Sequence, residues 1–251
     1  MIELPPWTFT EQDAHRTVEH GPDLIDLVAA AVPDDDAEHD AVRARLAGLR
    51  ARAQEALADA AAPDAPPDAA VAALRTVVAL RDEAAAAVRE AGVLGPDAEG
   101  VVSHLAVSDG GVPKRSVEEV EVGWRGVIGD RQAARQHHGR PWQALCLWST
   151  EVIDDFVAQG DPLAPGLAGE NITVTGLPWE RVRPGVRLRI GTVLCDVWAY
   201  ALPCKKNAQW FADRRFDRMH HRHGPVSRVY AQVMEPGTIA VGDTVTLLTG
   251  L

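Results

Sequence analysis

A chain of 251 residues holds one large domain or two modest ones, and its 46% hydrophobic and 24% charged residues allow a real core inside an ordinary polar surface. The net charge of −11 argues against a general nucleic-acid binder, and three irregularly spaced cysteines argue against a disulfide framework. No apolar run approaches the ~18–20 residues that span a bilayer, and Met1-Ile2-Glu3-Leu4-Pro5 lacks the basic and apolar regions of a signal peptide. Neither nucleic acid nor membrane is therefore expected as a partner, and a cytoplasmic location follows by default.

Residues 1–21 carry Trp7 and Phe9 among scattered polar residues and support no assignment. A short apolar helix is expected over 23–31, closed by Pro33. Val42, Leu46, Leu49, Ala53 and Leu57 then recur at helical spacing, so 37–60 reads as a long amphipathic helix. The Ala-Pro-Asp-Ala-Pro-Pro stretch at 62–67 must break it, because proline lacks the N–H and clashes with the preceding turn. Asp68 is placed to cap a second helix through about Ala91, with Val71, Leu74, Val78, Ala84 and Val88 near one face and Gly92 as its stop. Two such helices form an antiparallel hairpin, with the short helix as a possible addition. The alanine-rich face suits a buttress against the rest of the chain or a homo-oligomer through the N-terminal helices. Residues 92–100 are the best linker candidate, so 1–95 are read as a helical region of undisclosed role and 101–251 as a separate domain.

After Gly100 the texture changes to short β-branched runs punctuated by Gly, Pro and Asp. Strands are expected at 101–107, 117–122, 144–148, 172–175, 186–190, 193–198 and 244–248. One helix interrupts them from Thr150 to about Ala158, with Ser149 or Thr150 as cap and Gly160 as stop, and a second is expected around 207–218. Residues 237–248 read as a closing hairpin turning at Gly242-Asp243. The fold class is α+β: a mostly-β, barrel-like domain behind a helical region.

The most chemically pointed stretch is Pro203-Cys204-Lys205-Lys206. A thiolate is a soft metal ligand and a nucleophile, and adjacent lysines enrich it. Residues 34–40 are acidic, whereas 131–140 and 205–228 are rich in Arg, Lys and His, which points to an anionic small ligand near the thiol. Cys146 and Cys195 lie in apolar strand runs and read as small hydrophobes. The 214–228 cluster reads equally as a solvated helix face, and His220–His223 lacks the spacing of a zinc site with Cys204.

Gly111-Val112-Pro113-Lys114, Gly126-Val127-Ile128-Gly129-Asp130-Arg131, His137-His138-Gly139, Pro165-Gly166 and Gly169-Glu170-Asn171-Ile172-Thr173 occur in order. Gly185, Leu188-Arg189-Ile190-Gly191, Pro203-Cys204, Ser227-Arg228-Val229-Tyr230 and Gly242-Asp243 follow. In this series the chain resembles the MOSC domain family, named for the C-terminal domain of molybdenum cofactor sulfurases, over about 101–248. The resemblance implies a β-barrel, binding of the molybdenum cofactor (molybdopterin), and a functional cysteine at Cys204, as metal ligand or as persulfide-bearing sulfur carrier. Some members reduce N-hydroxylated compounds, while others handle the cofactor or its sulfur. Where several branches place an Arg shortly before the Pro-Cys pair, this chain has Tyr200-Ala201-Leu202.

The cofactor ends in a phosphate, so Lys114, Arg131, Arg140, Lys205 and Arg228 are candidate charge partners. Glu170 and Asn171, in a turn opened by Gly169, are placed to relay protons and to orient a pterin; simple turn chemistry also accounts for them. His137 and His138 titrate near neutral pH, and if extended only one faces the site; His138 is the expected proton donor and His137 a cofactor contact. An oxidoreductase of this kind needs an external electron donor, since no flavin, haem or iron–sulfur pattern is present. The competing expectation is a carrier without turnover, serving a cofactor-handling protein.

Overall fold

The alanine-rich stretch and the β-branched stretch fold by different rules. The computed structural model describes residues 21–34, 37–62, 64–66, 68–132 and 139–250, and the chain divides into Met1–Gly95 with Thr249–Leu251, and Pro96–Leu248.

In the first unit α1 (Gly21–Ala29), α2 (Asp40–Ala60) and α3 (Ala69–Glu90) each pack on the other two. Leu46, Leu49, Ala53 and Leu57 fall at i, i+3, i+7 and i+11 and are buried, so helical periodicity sets the inward face of α2. Ile25 and Val28 of α1 and Leu74, Val77, Ala84 and Val88 of α3 complete this core. Ion pairs Arg50–Asp26 at 2.7 Å and Arg45–Glu90 at 2.8 Å link the helices at the surface, where such pairs contribute little. Asp68 stands before α3 with helical backbone angles, and its side chain makes no capping bond. A capping side chain needs the extended conformation at that position.

The second unit is a barrel of β1 (Ala98–Val107), β5 (Leu145–Ser149), β6 (Ile172–Thr175), β7 (Arg187–Ile190), β8 (Val193–Tyr200), β9 (Val229–Glu235) and β11 (Thr244–Leu248). Their order is β1-β11-β7-β8-β9-β5-β6, and β6 returns to β1, so these seven strands close on themselves. Closure removes exposed edges. The long β1 makes it possible: residues 98–101 pair with β11, and 101–105 pair with β6. β5 and β6 are the parallel pair, as the crossover through α4 (Thr150–Ala158) requires. Ser149 caps α4, its Oγ accepting from Val152 N at 3.3 Å. β2 (Arg115–Val117) extends the barrel sheet beside β1, while β3 (Glu119–Gly123), β4 (Gly126–Val127) and β10 (Gly237–Ala240) form a small second sheet. Leu105, Leu145, Leu147, Trp148, Ile172, Leu188, Trp198 and Leu247 fill the buried interior, where Trp198 stacks on Trp142 at 5.4 Å.

Three expectations are corrected. Residues 237–248 form no hairpin: β10 pairs with β3, and β11 with β1 and β7. The chain changes sheets at Gly242, whose N–H donates to Val102 O, so the turn serves the junction between sheets. The helix expected at 207–218 is replaced by short 3-10 turns Lys205–Trp210, Phe216–Met219 and His221–His223. Arg214 between the first two has φ +60°, which no right-handed helix accommodates. The strand expected at 117–122 is split between β2 and β3, and β9 adds a strand beyond those expected.

Leu188 is fully buried on β7 between β8 and β11. Replacing it with alanine is expected to destabilise the barrel by about 2–5 kcal/mol, measured as a lowered midpoint in urea unfolding with an unchanged slope.

Candidate functional site

The chain leaves β1, β4 and β8, and enters β5, β6 and β9, around one pocket that is partly open to solvent. Its lining includes Lys114, Asp130, Arg131, Gln143, Cys146, Asn171, Cys204, Lys206, Asn207, Arg228 and Tyr230. Four cationic side chains thus face one carboxylate.

Asp130 organises one wall. Its Oδ1 accepts from Ser108 N at 2.8 Å, and its Oδ2 accepts from Lys114 Nζ at 2.6 Å and Asn171 Nδ2 at 3.0 Å. Asn171 Nδ2 also donates to Ala106 O at 3.3 Å, and its backbone N donates to Cys146 O at 2.8 Å. Three loops are therefore tied through one carboxylate, and the Lys114–Asp130 pair is nearly out of water, with side chains 8% and 7% exposed.

The Gly166–Asn171 turn forms the second wall. Gly169 has φ +101°, and a Cβ there would meet Val112 Cγ1 at 3.1 Å and Arg228 Nη1 at 3.6 Å. Only glycine lets this turn close over the Arg228 guanidinium. Arg228 is 6% exposed, and its Nη1 donates to Ala168 O. Its Nε has no hydrogen-bond partner among the described residues.

Glu170 is fully buried and absent from the lining. Its Oε1 accepts from Gly166 N at 2.5 Å, and its Oε2 has no hydrogen-bond partner among the described residues. Burial raises its carboxyl above the ordinary range, against the pull of Arg228 and Lys114. This places Glu170 behind the turn rather than in reach of a ligand.

Cys204 is the exposed cysteine and lines the pocket, whereas Cys146 and Cys195 are buried. Cys146 nonetheless reaches the pocket lining, which its apolar strand context had concealed. Burial pushes its thiol up to about 11, opposed by Arg228, and burial likewise raises the Tyr230 phenol beside it. Both are uncharged near neutrality.

Of the other expected contacts, Arg131 lies in the lining and is exposed, Lys206 rather than Lys205 faces the pocket, and Arg140 is half-buried outside the lining. His137 and His138 lie outside the described residues. Among the described residues, no three of His, Cys, Asp or Glu converge as an ion site. His221 instead stacks on Tyr200 at 4.6 Å and lies 4.3 Å from the His220 ring. Arg218 of the 214–228 cluster is spent on Asp161 at 2.9 Å and on the rings of Phe156 and Phe211. Residue order alone does not mark Asp130, Asn207 and Tyr230 as site residues, although Asp130 and Tyr230 belong to the Gly126–Arg131 and Ser227–Tyr230 motifs.

Residues 134–246 match the family model described as the MOSC domain. The uncharacterized protein YflK of Bacillus subtilis is 29% identical over 143 residues, which is 55% of this chain and 63% of that protein. The chain therefore spans less than two thirds of this curated relative. The YuaD protein of Bacillus subtilis, a solved structure, is similar with TM-score 0.51 and 17% identity over 61% of this chain and 97% of its own. A crystallised hypothetical protein gives TM-score 0.50 and 24% identity over 61% and 69%. At these identities the likeness concerns the fold, and it agrees with a β-barrel.

Two outcomes are expected from this geometry. Iodoacetamide should alkylate Cys204 in the native chain and spare Cys146 and Cys195, which peptide mass spectrometry reads directly; equal labelling of all three would contradict the burial pattern. In Glu170→Gln the acceptor for Gly166 N–H is kept and the ionisable group removed. The folded pKa of Glu170 is raised, so the wild type loses stability as pH climbs from the ordinary carboxylate range through the raised value. The melting temperature of the variant should therefore gain on that of the wild type as pH rises from about 4, and a flat difference would show a carboxyl that titrates in its ordinary range.

Proposed function

We propose, taking as premise that the chain belongs to the MOSC domain family through residues 134–246, that this cytoplasmic protein holds the molybdenum cofactor in the barrel-end pocket and reduces N-hydroxylated compounds there. One observation carries the reading: the exposed Cys204 thiol sits at a pocket lined by four cations and one carboxylate.

The donor set suits the group. A cysteine sulfur is a soft ligand fit for molybdenum, and Cys204 is the lining thiol open to solvent. Arg228, held under the Gly169 turn, offers a pre-placed guanidinium to the cofactor's phosphate, the geometry in which Arg outperforms Lys. Lys114 is already matched by Asp130 and serves the wall more than the ligand, which leaves Arg131 and Lys206 as the further cations for an anionic ligand. Asn171 and Gln143 add amide groups that can orient a pterin ring. When bound, the cofactor would supply the two-electron redox chemistry that removes oxygen from nitrogen, with an external donor as the electron source. Glu170 acts on the turn rather than on the substrate.

The exposure of Cys204 also suits a carrier that bears a persulfide without turnover. Molybdenum and pterin content of the purified chain, with turnover of a hydroxylamine by an added reductant, separates the two. Metal and activity lost together in Cys204→Ser, at unchanged melting temperature, is the expected result. Metal content unchanged in that variant would reject the ligand role, and a sulfur adduct on Cys204 by intact mass, without bound pterin, would favour the carrier.

A further inference from the structure

Two walls of the pocket approach each other from distant parts of the sequence, and one side chain joins them. Cys204 opens the 3-10 turn Lys205–Trp210, and Asn207, buried within it, faces back toward the thiol. Asn207 Nδ2 donates to Ala168 O at 3.1 Å. A carbonyl can only accept, so this bond decides which end of the amide points where. Asn207 Oδ1 is thereby presented to Cys204, where it accepts from the backbone N at 3.3 Å and from Sγ at 3.6 Å, within reach for sulfur. The same Ala168 carbonyl receives Arg228 Nη1. Thiol and buried cation are thus referred to one fixed point in the Gly166–Gly169 turn.

We infer that Asn207 is the positioning residue of Cys204: it tethers the sulfur to the Ala168 turn, and the sulfur leaves the Asn207 oxygen when it engages a ligand. This rests on Cys204 being the reactive thiol of the site. An untethered cysteine on an exposed turn samples three side-chain rotamers. The Asn207 contact selects one of them, and the backbone bond to the same oxygen holds the turn so that the selection persists. By this account Asn207, although it lines the pocket, acts on a bound ligand through the sulfur.

The test compares iodoacetamide labelling of Cys204 in the wild type, Asn207→Ala and Asn207→Asp, each checked for a native melting transition. Asp keeps an oxygen facing Cys204 but has no N–H for Ala168, whereas Ala loses both contacts. Release of the tether should raise the labelling rate about three- to tenfold in Asn207→Ala, with Asn207→Asp at or below the wild-type rate. A merely structural role, carried by the Ala168 bond that both variants lack, would raise both alike and overturn the inference; so would a rate unchanged in Asn207→Ala. If Asn207→Ala does not fold, Asn207→Ser, too short to keep the sulfur contact, takes its place. A wild-type chain that takes no label at Cys204 would overturn the reactive-thiol reading itself. Labelling of the wild type with no response in the variants overturns the positioning role alone.

Discussion

The pocket depends on the Asp130 carboxylate. Its two oxygens take a backbone N–H after β1, an ammonium beside β2 and an amide before β6, so the loops at this end of the barrel cannot move independently. Burying an ion pair such as Lys114–Asp130 costs desolvation that its attraction only roughly offsets. What the pair supplies is uniqueness: removing either partner strands the other charge, and removing Asp130 also leaves Asn171 without one of its acceptors. The wall is held by polar satisfaction, with all three donors aimed at a single group.

Charge is organised against the overall balance of the chain. The molecule is net acidic by eleven charges, yet the pocket lining is cationic, with Arg228 deep and Arg131 and Lys206 exposed. Acidity elsewhere keeps polyanions away from the surface, while a cationic hollow with low-dielectric walls focuses its field on a small anion.

Much of the architecture was legible in residue order. The 46, 49, 53, 57 spacing declared a helix face, and β-branched runs declared most barrel strands, because burial on one side imprints a period on the chain. The motif series around Cys204 pointed to the pocket because loops that meet in space carry unusual chemistry wherever they fall in sequence. What stayed hidden depends on partners far along the chain. Whether β10 pairs with β11 or with β3 is decided by barrel closure, and nothing within 237–248 records it. Cys146 reads as apolar since it is buried, and only its strand register against Tyr230 brings it to the pocket. Asn207 looked like one more polar residue in a basic segment, because its role exists only once Ala168 stands opposite. Asp68 illustrates the reverse, a residue of the right type whose backbone does not take the capping conformation.

The seam of the barrel joins residues 98–101 to 244–247, the first and last strands of that unit. Such a cylinder has no early half that can stand alone, and its opening strand waits for one roughly 140 residues downstream, so contacts of high sequence separation dominate and folding is slow. On the ribosome β1 emerges long before β11, leaving an unpaired strand exposed in the interval. The same seam means that loss of the final strand would unlatch β1 and β7 together and dissolve the anchorage of Ser108 at the far end of β1.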